Sequence, residues 1–474
     1  MNLCSHRAGL PLSRREMLQR SGTGFGAMAL QAMLAREARG EAKAPSLPGT
    51  AKRVIFLFMH GGPSTVDLFD PKPLLARDTG KPFPLKVPRI TSHKSKNLLL
   101  KSPWSCAQHG ESGAQVSELL PHIASMADDL CFVRSMYGSN SRHGGALLEL
   151  HTGSDTFTRP SMGSWINYGL GSENENLPGF ITINPSGSHG GAGAWSSAFL
   201  PAKYSGTRIG GKSGGMKVPF IDNPLQNRGK QRKELDLLAS FNRDHLAQRG
   251  VDSELESRIA SYELAFKMQM EVPGVQDVSS EPDHIKKLYG ADVDPTKSFG
   301  EQCLMARRFS EAGVRFVQLS HRYWDSHGNL KKEHEKLSEE MDKPVAGLIS
   351  DLKQRGLLDE TLVLWGGEFG RTPTAQGNDG RDHNPHGFTM FMAGGGIKPG
   401  TVYGSTDDYG YYAEDKPVHF HDLHATILHL MGIDHEEFTY RYAGRDFRLT
   451  DVEGKVVQSY NVGKIGYENI SYNK

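Results

Sequence analysis

The sequence predicts an α/β fold, a doubly wound and mostly parallel sheet flanked by helices. Three observations lead there. Short, continuous apolar runs recur along the chain, and each is closed by glycine or by polar loop-forming residues, as strands buried on both faces are. Apolar residues at helical spacing lie between the later runs, and strand–helix–strand alternation implies right-handed βαβ units. Glycine is abundant, 54 of 474 residues, and supplies the tight turns such alternation needs.

Residues 1–40 read as an address rather than as fold. Arg14-Arg15 precede a weakly apolar, Gly/Ala-rich stretch from Ser21 to Leu34, too short to span a bilayer, with small residues at Ala35–Gly40. This is the pattern of a twin-arginine export signal, with the translocase as partner during export and a periplasmic or otherwise extracytoplasmic destination. Residues 41–52 are a polar linker with two prolines, and the domain occupies 53–474.

The first strand is Val54–Met59, closed by His60-Gly61-Gly62-Pro63-Ser64. Further strands are expected at Leu130–Val133, Gly179–Ile183, Val314–Leu319, Thr361–Trp365 and Phe388–Met392. Phe299, Cys303, Ala306 and Phe309 mark a helix over about 297–312, ended by Gly313 in a left-handed turn. Leu337 to Leu352 mark a second, stopped by Gly356, and Leu423 to Met431 a third, stopped by Gly432. Residues 228–272, rich in Lys, Glu, Arg and Leu, read as a helical hairpin inserted into the α/β body, with Gly250 between its arms.

Lys+Arg against Asp+Glu is 55 against 54, a net charge of +1, which speaks against a nucleic-acid or anionic-membrane binder. No apolar run reaches the roughly 18 residues of a membrane span. Cys106, Cys131 and Cys303 remain after the leader and read as buried thiols, a Cys106–Cys131 bridge being left open.

In doubly wound sheets ligands sit beyond the carboxyl ends of the strands, so the residues following each run are the candidates. They are His60 to Asp67; Arg134 and Ser139-Asn140-Ser141-Arg142-His143; His321 to Asn329; and Gly367-Glu368-Phe369-Gly370-Arg371, continuing through Arg381-Asp382-His383-Asn384-Pro385-His386. Ten of the 20 histidines lie between His321 and His435. Imidazole and carboxylate together are what divalent metal sites use. Asp325, His327, Asp382, His383 and His386, on Gly/Pro-bordered loops, are therefore candidate metal ligands. Glu368 is a candidate ligand or base, its other role being to cap the following turn. Arg134, Arg142 and Arg371 are candidates for binding an oxyanion. His419, His421, His424 and His429 flank or line a helix and read mostly as surface or packing residues; Asp70 reads as capping a turn before Pro71.

Four motifs in order carry a resemblance: His60 to Lys72, Trp324-Asp325-Ser326-His327-Gly328-Asn329, Gly367 to Pro373, and Gly380 to Gly387. With the leader they resemble the exported bacterial domain-of-unknown-function family numbered fifteen hundred and one, often labelled sulfatase-like. That family is similar to the alkaline-phosphatase-like superfamily of phosphatases, sulfatases and phosphomutases. The resemblance implies an alkaline-phosphatase-like fold, a divalent metal (Zn, Mn, Mg or Ca), and a small-molecule or polysaccharide ester as substrate. It implies Asp325, His327, Glu368 and His386 as ligands and Ser141 as the nucleophile candidate, with Ser139 behind it. The sulfatase Cys/Ser-x-Pro-x-Arg signature is absent, and Phe369 stands where the superfamily has a ligating His.

Overall fold

A computed structural model describes residues 47–86, 97–210, 218–219, 221, 227–249 and 253–458. Residues 1–46, on which the expected export signal and the start of the expected linker fall, and Gly250 lie outside the described residues. Among the described residues no helix is long and apolar enough to cross a membrane.

The strands of the central sheet, together with an intervening hairpin, are β1 (Arg53–Met59), β2 (Leu130–Tyr137), β3 (Phe180–Ile183), β4 (Thr207–Ile209), β5 (Phe316–His321), β6 (Thr361–Gly366), β7 (Gly370–Gln376), β8 (Gly380–Asn384), β9 (Phe388–Ala393), β10 (Thr401–Tyr403) and β11 (Val418–His419). The sheet runs in the order β10-β2-β9-β6-β1-β5-β3-β4, with β11 also pairing β2. β1 is parallel to both neighbours, Leu57 lying opposite Leu319 on one side and Trp365 on the other. Among the described strands of this sheet only β9 runs against the rest, antiparallel to its partners β6 and β2. Mostly parallel pairing is what the unbroken apolar runs require, since both faces are covered.

The main helices are α1 (His143–Thr152), α2 (Met162–Leu170), α3 (Arg228–Arg249), α4 (Ser253–Gln276), α5 (Lys297–Glu311), α6 (Leu330–Gln354) and α7 (Phe420–Leu430). β1 shows why the layers form. Side chains alternate across a strand, so Ile55, Leu57 and Met59 join one core with Phe299 and Cys303 of α5 and Met341 and Leu348 of α6. Val54, Phe56 and Phe58 join the other, with Trp165 of α2 and Leu423 and Ile427 of α7. The inserted helical pair is tied down by α4, whose Met268 and Val272 enter the first core. Arg232 of α3 reaches Glu263 of α4 at 2.7 Å. Leu237 and Phe241 of α3 stay exposed.

One segment differs from its sequence reading. Residues 370–384, expected as loop, are the β7–β8 hairpin, pairing His383 with Arg371 across a register shift between Arg381 and His383. Because this hairpin lies at the carboxyl rim of the parallel strands, β9 must leave from that rim, which is why it runs antiparallel. The three cysteines are free, and burial pushes the Cys106 and Cys131 thiols up to about 12.

His151, His334 and His424 are fully buried, and burial holds their pKa values down to about 4, 3 and 3. The folded chain thus binds fewer protons than the unfolded one, whose histidines titrate near 6.5. Stability is therefore complete above about pH 6.5 and falls as pH drops toward the folded values. Each histidine contributes up to about 1.4 kcal/mol per pH unit. Urea unfolding at stepped pH checks this: the slope below pH ~5.5 is expected to shallow by about that amount in His424→Leu.

Candidate metal centre

The exits of β1 and β5 are stitched together. His60 N–H donates to His321 O at 2.8 Å, and Trp324 N–H donates to His60 O at 3.2 Å. Trp324 is fully buried, its indole donating to His321 Nδ1 at 3.0 Å. Gly61 is needed here: at φ +113, a Cβ would stand 2.6 Å from the Asp325 amide nitrogen. This locked turn leaves the Asp325 carboxylate at the rim, its side chain 37% exposed.

Three histidines converge on that carboxylate. His143, the first residue of α1, places Nε2 3.1 Å from Oδ2. His327 Nε2 lies 2.9 Å and His383 Nε2 3.2 Å from Oδ1. One donor atom from each of these four residues lies within 4.8 Å of every other. The far nitrogens are all engaged. His143 Nδ1 meets Glu368 Oε1 at 2.7 Å, His383 Nδ1 meets Ser141 O at 2.7 Å, and His327 Nδ1 meets Gln376 Oε1. A carbonyl or carboxylate oxygen only accepts, so each Nδ1 carries a proton, and each ring turns its Nε2 inward, where it donates to Asp325 when protonated and offers a lone pair to a cation when not. An acceptor behind each imidazole is how metal-ligating histidines are oriented.

The charges fit this arrangement. Burial disfavours the Asp325 carboxylate, but hydrogen bonds from His143, His327 and His383 and the Arg371 charge outweigh it and hold the carboxyl well below the usual range. Burial likewise opposes charge on His143, yet Asp325 and Glu368 raise it to about 9. Three imidazoles and a carboxylate whose donor atoms converge on one point suit a divalent cation, and the His/Asp cluster could hold one.

Asp325, His327 and His383 of the sequence-predicted ligands meet here. His386 does not join them; its ring packs 5.6 Å from those of Tyr411 and Tyr412. Asp382 braces the hairpin, its Oδ1 accepting from His383 N–H at 2.8 Å. Glu368, fully buried, accepts from Gly61 N–H at 3.0 Å and holds His143 from behind. Arg371 is 1% exposed and donates to Gly61 O, to Gly62 O at 2.8 Å and to Asp325 at 2.6 Å, so it positions Asp325. Arg142, exposed just ahead of α1, is the freer guanidinium. Ser141 contributes its carbonyl to His383. Ser139 Oγ lies 3.1 Å from His419 Nε2, but His419 Nδ1 accepts from His421 N–H, so Nε2 bears the proton and cannot take one from the serine. Asp67, the nearest carboxylate after β1, is fully buried against Arg381.

His143 neighbours no carboxylate in sequence, so composition does not mark it as a ligand; its position after β2 and ahead of Gly144-Gly145 is the available signal. His60 and His189 stack beside it, their centroids 6.4 and 4.8 Å from its ring. Replacing Glu368 by Gln keeps the shape but exchanges a carboxylate for an amide behind His143. Metal affinity is expected to fall about 10- to 100-fold with the fold retained, as competition with a metal indicator would measure.

Several solved structures share a similar chain course. The phosphonate monoester hydrolase SpPMH from Silicibacter pomeroyi is 13% identical over 74% of this chain and 73% of that one, with a TM-score of 0.36. The PsFucS1 sulfatase from Pseudoalteromonas sp. is 14% identical over 90% and 73%, with a TM-score of 0.36. The alkaline phosphatase from the Antarctic bacterium TAB5 is 9% identical over 81% and 98%, with a TM-score of 0.34. No curated protein matches by sequence. The family model described as Protein of unknown function (DUF1501) matches residues 51–460, most of the chain, and the protein belongs to that family.

Proposed function

We propose that this protein is an exported, metal-dependent hydrolase of phosphate or sulfate esters. The observation that carries the reading is the set of three imidazoles, each held at Nδ1 and each turning Nε2 to the Asp325 carboxylate. A nitrogen-rich donor set of this kind suits Zn²⁺ or Mn²⁺ better than Mg²⁺ or Ca²⁺. Such an ion, when bound, polarises an ester oxygen and lowers the pKa of a hydroxyl or water nucleophile. His143, Asp325, His327 and His383 would hold it. Arg371 fixes the carboxylate, and Glu368, Ser141 and Gln376 orient the rings. Ser141 is the nucleophile candidate, its backbone anchored to the cluster through His383. Arg142 is the candidate for the substrate's anionic oxygens, its guanidinium being less committed than that of Arg371. The motif resemblance to alkaline-phosphatase-like enzymes supports the same reaction class, and the Arg14-Arg15 leader supports export by the twin-arginine route to the periplasm.

The test is metal analysis of protein recovered after export, with aryl phosphate and aryl sulfate assays before and after chelation. About one divalent ion per chain, with turnover lost on chelation and restored by metal, is expected. Metal-free, inactive protein would overturn the reading. A second reading is a non-catalytic periplasmic binding or structural protein. Phe369 favours it, its ring lying 4.9 Å from that of His143 and 4.3 Å from that of His383 and so placing hydrocarbon beside two ligands. Bound metal without turnover of any ester would select it.

A further inference from the structure

β3 runs parallel to β5 and ends at the same rim. The loop that follows it, residues 184–193, is fixed at both ends to elements that carry metal ligands. At its start Arg322, on the turn that leads to Asp325, donates through one terminal nitrogen to Asn184 O at 2.8 Å, to Asn184 Oδ1 at 2.6 Å and to Pro185 O at 3.0 Å. At its end Gly190 and Gly193 lie against α1, which opens with His143. A Cβ at these glycines would stand 2.9 Å from Leu147 and 2.6 Å from Leu148. Between the two anchors stands His189, at φ +49, in the left-handed region that few residues other than glycine adopt.

This turn delivers an imidazole to the edge of the cluster. The His189 ring is stacked 4.8 Å from that of His143 at 29°, and 5.8 Å from that of His60 at 23°. His60 and His143 are buried, whereas His189 faces water. Among the described residues no hydrogen bond engages either of its nitrogens. Phe369, fully buried, also packs against His143, so hydrocarbon suffices where a ring only fills space. Holding an exposed ring in a left-handed turn costs free energy, and packing returns little of it. What an imidazole offers beyond hydrocarbon is an N–H donor in either protonation state. Stacking lays it alongside the ring that addresses Asp325, and χ2 of histidine is broad enough to turn a nitrogen toward that side. We propose that His189 touches the ligand of the metal centre, donating a hydrogen bond to one oxygen of a tetrahedral anion held there. That this anion is the phosphate or sulfate group of an ester substrate rests on the hydrolase reading; the contact itself rests on the loop.

Calorimetric titration of the Zn²⁺-loaded protein with inorganic phosphate and inorganic sulfate tests the contact without turnover. Nitrophenyl phosphate and nitrophenyl sulfate assays test its role in a substrate. His189→Ala removes the ring, His189→Phe keeps a stacking ring without the donor, and His189→Gln restores an N–H. Ala and Phe are each expected to weaken anion binding about tenfold and to lower kcat/KM similarly, with Gln within about threefold of wild type. Metal content is expected to match wild type in all three. Anion binding that falls in Ala and Phe, in a protein that hydrolyses no ester, would keep the contact and remove the hydrolase reading. No anion binding by the wild type, or wild-type affinity in His189→Phe, would overturn the contact, the latter by showing that the ring only packs. Loss of metal from His189→Ala would overturn it too, making the residue a support for His143.

Discussion

Replacing Asp325 by Ala is expected to strip the protein of its metal and to abolish ester turnover together. Asp325 is the point on which His143, His327, His383 and Arg371 all converge. Without it the donor set keeps three imidazoles and gains a buried guanidinium with no counter-charge among them. Loss of one ligand is expected to weaken metal binding by at least on the order of a hundredfold, more than loss of a supporting residue does. Stability should suffer less. The carboxylate is about a third exposed, so water can partly replace it at Arg371, and a cost of about 1–2 kcal/mol is expected. His386→Ala is the matched control, since its ring packs against Tyr411 and Tyr412 away from the cluster. Elemental analysis of both variants, with circular dichroism to verify folding, decides the matter. Metal retained in Asp325→Ala but lost in His386→Ala would place the centre elsewhere.

The largest stability effect is expected at Asp67. It is fully buried and grips Arg381, also fully buried, through two bonds of 2.8 and 2.9 Å. Arg381 also donates to Thr372 O and to Leu100 O, both at 3.0 Å, so this one guanidinium ties the β7–β8 hairpin to the short helix Thr65–Leu68 and to the chain at Leu100. Asp67→Leu leaves that cation buried and unpaired and is expected to cost about 3–5 kcal/mol in chemical denaturation. The double variant Asp67→Leu, Arg381→Met removes both charges and should recover much of the loss. A double variant no more stable than the single would show that packing, not the orphaned charge, sets the cost. Because His383 rides on the same hairpin, the single variant should also bind metal more weakly. Burial opposes the Asp67 charge, but Arg381 and Ser64 outweigh it and depress its pKa. Its contribution is thus present above the ordinary carboxylate pKa and lost as pH falls through the lower folded value.

How much of this was legible beforehand varied by residue. The strands and later helices were readable because each side chain's burial is written into local periodicity. Val54–Met59 is apolar without a break because both faces are covered, and α5 repeats its apolar residues because only one face is. The β7–β8 hairpin was not readable. Its Gly, Pro, Asn and Asp residues carry turn signals, and its strands pair with each other and with an isolated bridge at Leu99, above the rim and outside the central sheet. Asp325, His327 and His383 could be picked from composition and from their position after strands. His386 could not be separated from them, since chemistry alone does not say which way a ring points.

By itself, then, the amino-acid order settled the layered α/β architecture, because local periodicity and glycine placement dictate which segments become strands and helices and where they stop. Only the tertiary structure decided which imidazoles share one carboxylate. That choice joins His143 to a residue 182 positions away (325 − 143), and it depends on the parallel stacking of β1, β5 and β6 and on a hairpin folded back over their ends. Hydrogen-bond direction, such as the Nδ1 contacts that turn three Nε2 atoms inward, exists only once those distant segments meet.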